Sequence, residues 1–261
     1  MSIIGNALIV GINPKKMLPE FSYSGNYELK HEKLSNGDYN WELAILSGSN
    51  TNLKFTKVVD KIDVFLVGGG ANGSSGDSYG QSIYGGSGGK GGQCITQTSI
   101  SITKNTNYPL TIGGAGSNTT GFGYTANGGS GANGGTGASM PNIVYPTQGS
   151  NATSGSNGSY AFGSSTSLFQ SGRRYGAGGG AGGVYRVSNN DNSFSFGNSS
   201  GGLTGGGTGG VASTNDVNGG NASANTGSGG GGGNARIIKN TYGAGAGGSG
   251  GSGIIIIRNH R

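Results

Sequence analysis

Glycine-rich tracts constrain this chain more than any other feature, because they leave no side chains with which to build an ordinary hydrophobic core. Glycine supplies 62 of the 261 residues and proline only 5. Residues 1–67 hold 5 of the glycines, and residues 68–261 hold the other 57. A collagen triple helix is excluded, since it needs glycine at every third position and abundant proline. The sequence therefore predicts two parts with different packing.

The glycine-rich runs predict packed polyglycine-II helices. An extended helix with three residues per turn makes no internal hydrogen bonds, so its buried N–H and C=O groups need partners on neighbouring helices. A Cβ pointing at a neighbour would hold the two backbones apart. The alternative is a flexible Gly/Ser linker, which interspersed aromatic residues and apolar strands disfavour. The runs lie at residues 85–89, 178–183, 205–210, 229–233 and 243–253.

Apolar, β-prone stretches predict a mainly β and irregular fold with little or no α-helix. Asn36-Gly37 predicts a hairpin turn, because both residues tolerate positive φ. Trp41 is predicted to anchor a small core, with a ligand platform as the alternative. The predicted core residues are Trp41, Leu43, Ile45, Phe55 and Phe65. The predicted strands are residues 7–12, 21–34, 39–46, 53–58, 62–67, 93–102, 108–112, 184–187, 235–239 and 254–258, the last of them buried in a sheet.

Three regions follow from these patterns. Residues 1–20 form an N-terminal docking arm, residues 21–67 a small antiparallel β segment, and residues 68–261 a polyglycine-II domain with short strands and displayed loops. Residues 1–67 carry 7 basic and 7 acidic side chains, so the net charge of +6 belongs to the glycine-rich part. Its basic residues are scattered rather than clustered, so no nucleic-acid partner is predicted.

No pattern in the sequence predicts an enzyme, a cofactor or a metal site. Residues 68–73 match GxGxxG after a strand, but the helix that nucleotide binding requires is not predicted after them. His31 and His260 are far apart in the sequence, and Cys94 has no histidine nearby. As the single cysteine, Cys94 also excludes an intrachain disulfide. We therefore expect a non-enzymatic protein.

The loops between the glycine runs are the candidate binding elements. They concentrate Tyr, Phe, Asn, Ser and Arg, a mixture of rigid aromatic and adaptable polar groups that is typical of recognition loops. An alternative for Phe169, Phe194, Phe196 and Tyr185 is that they pack against the flanks of the glycine bundle. The candidate receptor-binding residues are Arg173, Arg174, Tyr175, Tyr185, Arg186, Asn189, Asn190 and Asp191.

Four motifs, in this order, resemble the glycine-rich domains of bacteriophage and prophage tail proteins. They are VGGG at 67–70, YPLTIGGAG at 108–116, GFG at 121–123 and GGSGIIIIR at 250–258. The resemblance covers about residues 39–261. It implies a tail-fibre, tail-tip or baseplate-associated protein whose glycine-rich part presents receptor-binding loops, as in the polyglycine-helix adhesins that cap long tail fibres. The N-terminal β segment departs from those adhesins.

The resemblance implies a protein of the virion or of a phage-tail-like particle that binds the bacterial surface. Residues 1–20 would dock to other tail or baseplate proteins, and the receptor would be a polysaccharide or a surface protein. The alternatives are a purely structural tail or baseplate component, or a structural protein of a bacterial surface or spore. No signal peptide and no membrane span are predicted, so we expect synthesis in the host cytoplasm. A homotrimer is one arrangement that the sequence leaves open.

Overall fold

Short β-strands joined by extended glycine-rich segments make up the protein. A computed structural model describes residues 16–57, 59–79, 82–131, 134–135, 139–140, 150–163, 173–187 and 194–260. Within these ranges Ala161–Gly163 forms a 3-10 turn and no α-helix occurs, so the predicted fold class is confirmed. The strands are β1 Phe21–Ser22, β2 Tyr27–Lys33, β3 Tyr39–Ile45, β4 Thr51–Phe55, β5 Lys61–Val67, β6 Asp77–Tyr79, β7 Ser82–Tyr84, β8 Cys94–Ser101, β9 Asn107–Leu110, β10 Thr119–Gly121, β11 Tyr124–Ala126, β12 Ser139–Met140, β13 Ser159–Tyr160, β14 Arg174–Tyr175, β15 Val184–Val187, β16 Phe194–Gly197, β17 Ala235–Ile238, β18 Thr241–Ala244 and β19 Ile254–Asn259.

The largest sheet has five antiparallel strands in the order β2-β3-β19-β5-β8. The C-terminal strand β19 lies at its centre, where Ile255 pairs with Ile45 on one side and Leu66 on the other. The predicted burial of this strand is confirmed, since Ile254 to Ile257 are all buried. The sheet joins residues on both sides of the boundary predicted at residue 67. The 21–67 segment is therefore completed by strands from the glycine-rich part.

A hydrophobic core lies between this sheet and the three-stranded sheet β1-β4-β9. Trp41 belongs to this core and is 1% exposed, which confirms its predicted structural role. Phe65 is buried as predicted but lies on the opposite face of the sheet, because side chains alternate along a strand and its neighbours Val64 and Leu66 face the main core. The predicted hairpin is also confirmed, since β2 pairs with β3 and Gly37 in the connection has a φ of 86°.

The glycine-rich segments pack side by side with a three-residue hydrogen-bond period. Residues 70–76 run antiparallel to residues 245–251, and every third N–H of the first donates to the second. This period is that of polyglycine II and differs from the two-residue alternation of a β-ladder. The bonds are Gly70 N–H to Gly251 O at 2.8 Å, Gly73 N–H to Gly248 O at 2.9 Å and Gly76 N–H to Gly245 O at 3.0 Å.

One segment, residues 226–235, is the hub of this bundle. All ten of its residues are buried, although Ala235 is the only one with an apolar side chain. Only Gly227 among them has a φ in the left-handed region. Within the described ranges, backbone hydrogen bonds join the hub to six neighbouring segments. These are residues 71–74, 86–92, 177–183, 207–210, 217–220 and 245–251.

The glycine bundle has two different ends. At one end, which we call the base, its segments continue into strands β5, β8 and β19 of the large sheet. At the other end, the tip, they continue into the hairpins β6–β7, β15–β16 and β17–β18. Lys16 lies on the side of the large sheet that faces away from the bundle, where its carbonyl accepts the Tyr39 N–H at 2.7 Å and its Nζ donates to the His260 carbonyl at 2.9 Å. Lys16 thus lies at the end of the molecule opposite the tip.

Candidate functional site

The tip is built around a four-stranded sheet in the order β16-β15-β17-β18. Strands β15 and β17 are parallel and pair in register, from Val184 with Ala235 to Val187 with Ile238. The turn from β17 to β18 consists of Lys239 and Asn240, whose φ values of 44° and 64° define the tight hairpin turn that matches strand twist. Residues 188–193, which connect β15 to β16, lie outside the described ranges. The parallel pairing means that β15 and β17 both end at the same edge of the sheet.

A small hydrophobic cluster holds the tip sheet on the bundle. It consists of Ile83 from β7, Val184 from β15, and Ala235 and Ile237 from β17, each at most 4% exposed. These residues continue directly from glycine segments, so the cluster begins where the bundle ends. The tip strands are therefore fixed relative to the hydrogen-bonded glycine backbones beneath them.

An open cleft lies on the flank of this sheet, which we call the tip cleft. Its volume is about 480 Å³, and it is lined by Tyr185, Asn198, Ser199, Val211 and Ala212. Tyr185 is half-buried on β15, whereas Val211 is 56% exposed on the loop of residues 211–217. The lining thus combines an aromatic ring, aliphatic groups, an amide and a hydroxyl.

The amide of Asn234 fixes the loop that forms one wall of the cleft. Its Nδ2 donates to the carbonyls of Asn215 at 2.9 Å and Val211 at 3.2 Å, and its Oδ1 accepts the Val217 N–H at 2.8 Å. Asn234 is fully buried at the end of the hub. A buried side-chain amide is normally hydrogen-bonded at both its oxygen and its nitrogen. These three bonds from the hub therefore hold the loop of residues 211–217 in place.

The opposite wall is fixed in a similar way. Asn151 Oδ1 accepts the Asn198 N–H at 2.9 Å, and the Asn198 carbonyl accepts the Ala152 N–H at the same distance. Next along the chain, Ser200 Oγ accepts the Ala181 N–H at 2.6 Å and donates to the Thr153 carbonyl at 2.8 Å. Both walls of the cleft are therefore positioned by hydrogen bonds to the bundle or its flanks.

An ion pair lies beside the aromatic residue of the cleft. Arg236 pairs in register with Tyr185 across β17 and β15, which puts both side chains on one face of the sheet. Arg236 Nε donates to Asp216 Oδ1 at 2.7 Å. Gly243 lies next to Arg236 on β18, and a Cβ there would lie 2.6 Å from the guanidinium carbon. The missing side chain of Gly243 thus makes room for the ion pair.

The structure separates the predicted receptor-binding residues into two groups. Tyr185 and Arg186 lie half-buried on β15 at the tip. Asn189, Asn190 and Asp191 follow them in the chain but lie outside the described ranges. Arg173, Arg174 and Tyr175 lie at the base end of the segment 177–183, on and beside β14. Nine residues, 176–184, separate Tyr175 from Tyr185, which corresponds to about 30 Å of extended backbone.

The prediction that Tyr175 is displayed on a loop is wrong. Tyr175 is fully buried in the second core cluster, where its ring meets Phe65 edge to face at a centroid distance of 5.5 Å. Burial raises the pKa of its hydroxyl to about 12. Arg173 is exposed, but the Arg174 guanidinium lies 4.3 Å from the centre of the Tyr160 ring and donates to the Gly158 carbonyl at 2.9 Å. Of this group, only Arg173 is an exposed side chain.

Sequence reasoning missed several residues of the tip cleft. Asn198, Ser199, Val211 and Ala212 come from two stretches that no motif distinguishes, and only the fold brings them to Tyr185. The available signal was the Asn-rich composition of residues 215–221 between two glycine runs, which indicates side chains that bond to backbone.

A second polar cluster lies on the large sheet. The Asp63 carboxylate on β5 is 2% exposed, accepts the Ser99 N–H at 3.0 Å and Arg258 Nε at 3.1 Å, and lies 2.7 Å from His260 Nδ1. Burial alone would raise the pKa of Asp63, but the hydrogen bonds from His260, Ser99 and Arg258 and the charge of Arg258 lower it. These contacts tie β19 to β5, which is a structural role.

The contacts of Asp63 predict that the stability of the folded protein depends on pH. Because its pKa is lowered on folding, its contribution is complete above about pH 4 and is lost as the pH falls through the folded-state pKa. Asp63→Asn should cost about 2–3 kcal/mol near pH 7, since Arg258 loses a buried partner. Thermal melts should show this difference shrinking below about pH 4. Asp60→Asn, at an exposed position, is the control, and a difference that is constant with pH would contradict the assignment.

Other reactive groups are accounted for by the fold. Burial raises the pKa of the Cys94 thiol to about 11, which disfavours the reactive thiolate. In the part of the chain that the structure describes, no group of three or more His, Cys, Asp or Glu residues is placed to hold a metal ion. The same residues include no helix long and apolar enough to cross a membrane.

Comparison with known proteins identifies the family. A family model for the glycine-rich domain matches residues 46–260, which include strands β5, β8 and β19 of the large sheet, the bundle and the tip. The chain therefore belongs to the glycine-rich domain family. No protein with a curated description matches the chain.

Proposed function

We propose that this protein is a tail component of a bacteriophage or of a phage-tail-like particle, and that it binds the bacterial host surface through its tip. The observation that carries the proposal is the polarity of the fold. Lys16, which lies within the proposed docking arm, contacts Tyr39 and His260 at the end of the large sheet away from the bundle, whereas three hairpins and the tip cleft gather at the opposite end of the bundle. A docking arm and a recognition surface need this separation.

The bundle suits the role of a rigid spacer. The ten-residue hub is about 30 Å long as an extended three-fold helix. Its neighbours supply partners for its backbone groups, so the segment is held on all sides without a conventional core. Loops that are positioned by a rigid scaffold are common sites of recognition. The resemblance of four ordered motifs to tail proteins supports the same function.

The proposal is tested by adsorption. The purified chain, added in excess to cells that adsorb the intact particle, should bind them and block particle adsorption. Alanine at Asn189, Asn190 and Asp191 together should weaken this block, because these residues follow β15 at the tip. Arg173→Ala, at the base end of the bundle, is the matched control. A chain that neither binds the cells nor competes with the particle would favour a purely structural tail component.

The arm gives a separate prediction. Residues 3–12 are apolar and uncharged, and such a segment is a liability on a surface unless a partner covers it. We expect deletion of residues 1–15 to leave the melting temperature unchanged, since Lys16 and its contacts remain, but to abolish incorporation into particles. The triple alanine variant at 189–191 should be incorporated normally. Particles that carry the shortened protein at normal copy number would contradict the docking role.

A further inference from the structure

We propose that the tip cleft binds a sugar residue of a bacterial surface polysaccharide. This inference rests on the proposed function and narrows its receptor to a carbohydrate. A sugar ring presents an apolar C–H face and a rim of hydroxyl groups, so it needs both an apolar platform and polar partners. The tip cleft offers both within about 480 Å³, a volume within the usual range for small-ligand sites.

The apolar part of the cleft consists of Tyr185, Val211 and Ala212. A tyrosine ring provides a flat surface for C–H groups and loses little conformational entropy when it binds. Val211 is 56% exposed across the cleft, so a ligand between the two residues would remove apolar surface from water on both sides.

The polar part of the lining consists of Asn198 and Ser199, and the ion pair of Arg236 with Asp216 lies beside Tyr185, outside the lining. An amide and a hydroxyl can each donate and accept hydrogen bonds, which matches the two-way bonding of sugar hydroxyls. The Asp216 side chain is 46% exposed, so its carboxylate remains accessible beside Arg236. A purely apolar ligand would desolvate Asn198 and Ser199 without replacing the hydrogen bonds that these groups make with water.

The cleft is preorganised for a ligand. Asn234 holds the wall at 211–217, and Asn151 holds the wall at Asn198. Walls that are fixed before binding reduce the ordering cost that a small ligand must offset. A protein partner would need about 800 Å² of contact surface on this chain, far more than the five lining residues provide.

Polysaccharide extracted from cells that adsorb the particle, and then treated with protease, is the probe. We expect the wild-type chain to bind it in calorimetric titration, and Tyr185→Ala to weaken binding about tenfold or more. Tyr185→Phe keeps the ring and should bind within about threefold of wild type, a small energy difference. Ala212→Trp fills the cleft and should abolish binding. Tyr242→Ala, at the tip but outside the lining of the cleft, is the control.

Each outcome decides the inference. Equal binding by wild type, Tyr185→Ala and Ala212→Trp would overturn the cleft as the site. A chain that adsorbs to intact cells but not to the polysaccharide, and that loses adsorption after the cells are treated with protease, would overturn the inference while supporting the proposed function. Polysaccharide binding without adsorption to cells would support the cleft and overturn the function. Binding to neither would overturn both. Melting of each variant, followed by Trp41 fluorescence, confirms that it is folded.

Discussion

Gly231→Val is expected to abolish cooperative folding. Gly231 lies in the hub, where a Cβ would come well inside 3.0 Å of the Thr208 carbonyl oxygen and carbon. Its own N–H donates to the Gly220 carbonyl at 2.9 Å, so a valine would push apart two neighbouring segments. Overpacking and lost hydrogen bonds should together cost more than about 4 kcal/mol. Gly207→Val should behave in the same way, because its Cβ would meet the Gly220 carbonyl.

Trp41 fluorescence measures this prediction, because the only tryptophan is buried at the base and reports whether loss of the bundle unfolds the whole chain. Gly201→Ala is the control. A Cβ at Gly201 has nothing within 4 Å, so its stability should stay within about 0.5 kcal/mol of wild type. A Gly231→Val protein that melts like wild type would show that the glycine segments do not pack as a bundle.

The sequence predicts that the glycine runs pack against one another, but it does not predict which run lies beside which. The glycine runs alone indicate close backbone packing, because nothing else about them can be buried. They do not indicate which run lies beside which, since one glycine run has the same surface as another. Asparagine side chains that bond to the backbone of an adjacent segment help to determine which segments lie side by side. Asn218 Oδ1 accepts the Ala246 N–H and Asn221 Oδ1 accepts the Ser249 N–H, each at 2.8 Å, with a step of three residues on both segments.

The strands were predicted with similar limits. Residues 184–187 match β15, because apolar and aromatic side chains mark this strand in the sequence. The hairpin β6–β7 was missed, since its strands are three residues long and too short to show an alternating pattern, although Ile83 is buried. Strand alternation predicts that Phe65 faces away from Val64, but only the fold shows that Tyr175 covers that face. Tyr175 lies in a stretch whose composition is typical of a recognition loop, but its side chain is buried in the core.

The tip cleft shows why a site of this kind is hard to find from sequence. Tyr185 and Arg236 are about 50 residues apart and meet only because two glycine segments end at the same level and continue as parallel strands. No spacing rule connects them, in contrast to a metal or nucleotide motif whose residues lie within one turn or loop. In such a protein, the residues that meet at the tip are determined by which glycine segments end next to each other.

Ile255→Asp is expected to unfold the large sheet and with it the protein. Ile255 is fully buried at the centre of β19, between Ile45 and Leu66. The variant loses about 2 kcal/mol of apolar burial or more, and it places a carboxyl group in a core that offers it no designed partner. The total should exceed about 4 kcal/mol, which is enough to unfold a protein of ordinary stability.

The reason for so large an effect is the strand order. Strands β3 and β5 do not touch within the sheet, because β19 lies between them and pairs with both. The N-terminal strands β3 and β5 therefore need the C-terminal strand β19 to form one continuous sheet. Ile255→Val should cost about 1 kcal/mol and Met17→Asp, at a side chain that is 61% exposed, less than about 0.5 kcal/mol. Denaturant unfolding followed by Trp41 fluorescence measures all three variants, and an Ile255→Asp protein within about 1 kcal/mol of wild type would show that β19 is not the strand that closes the sheet.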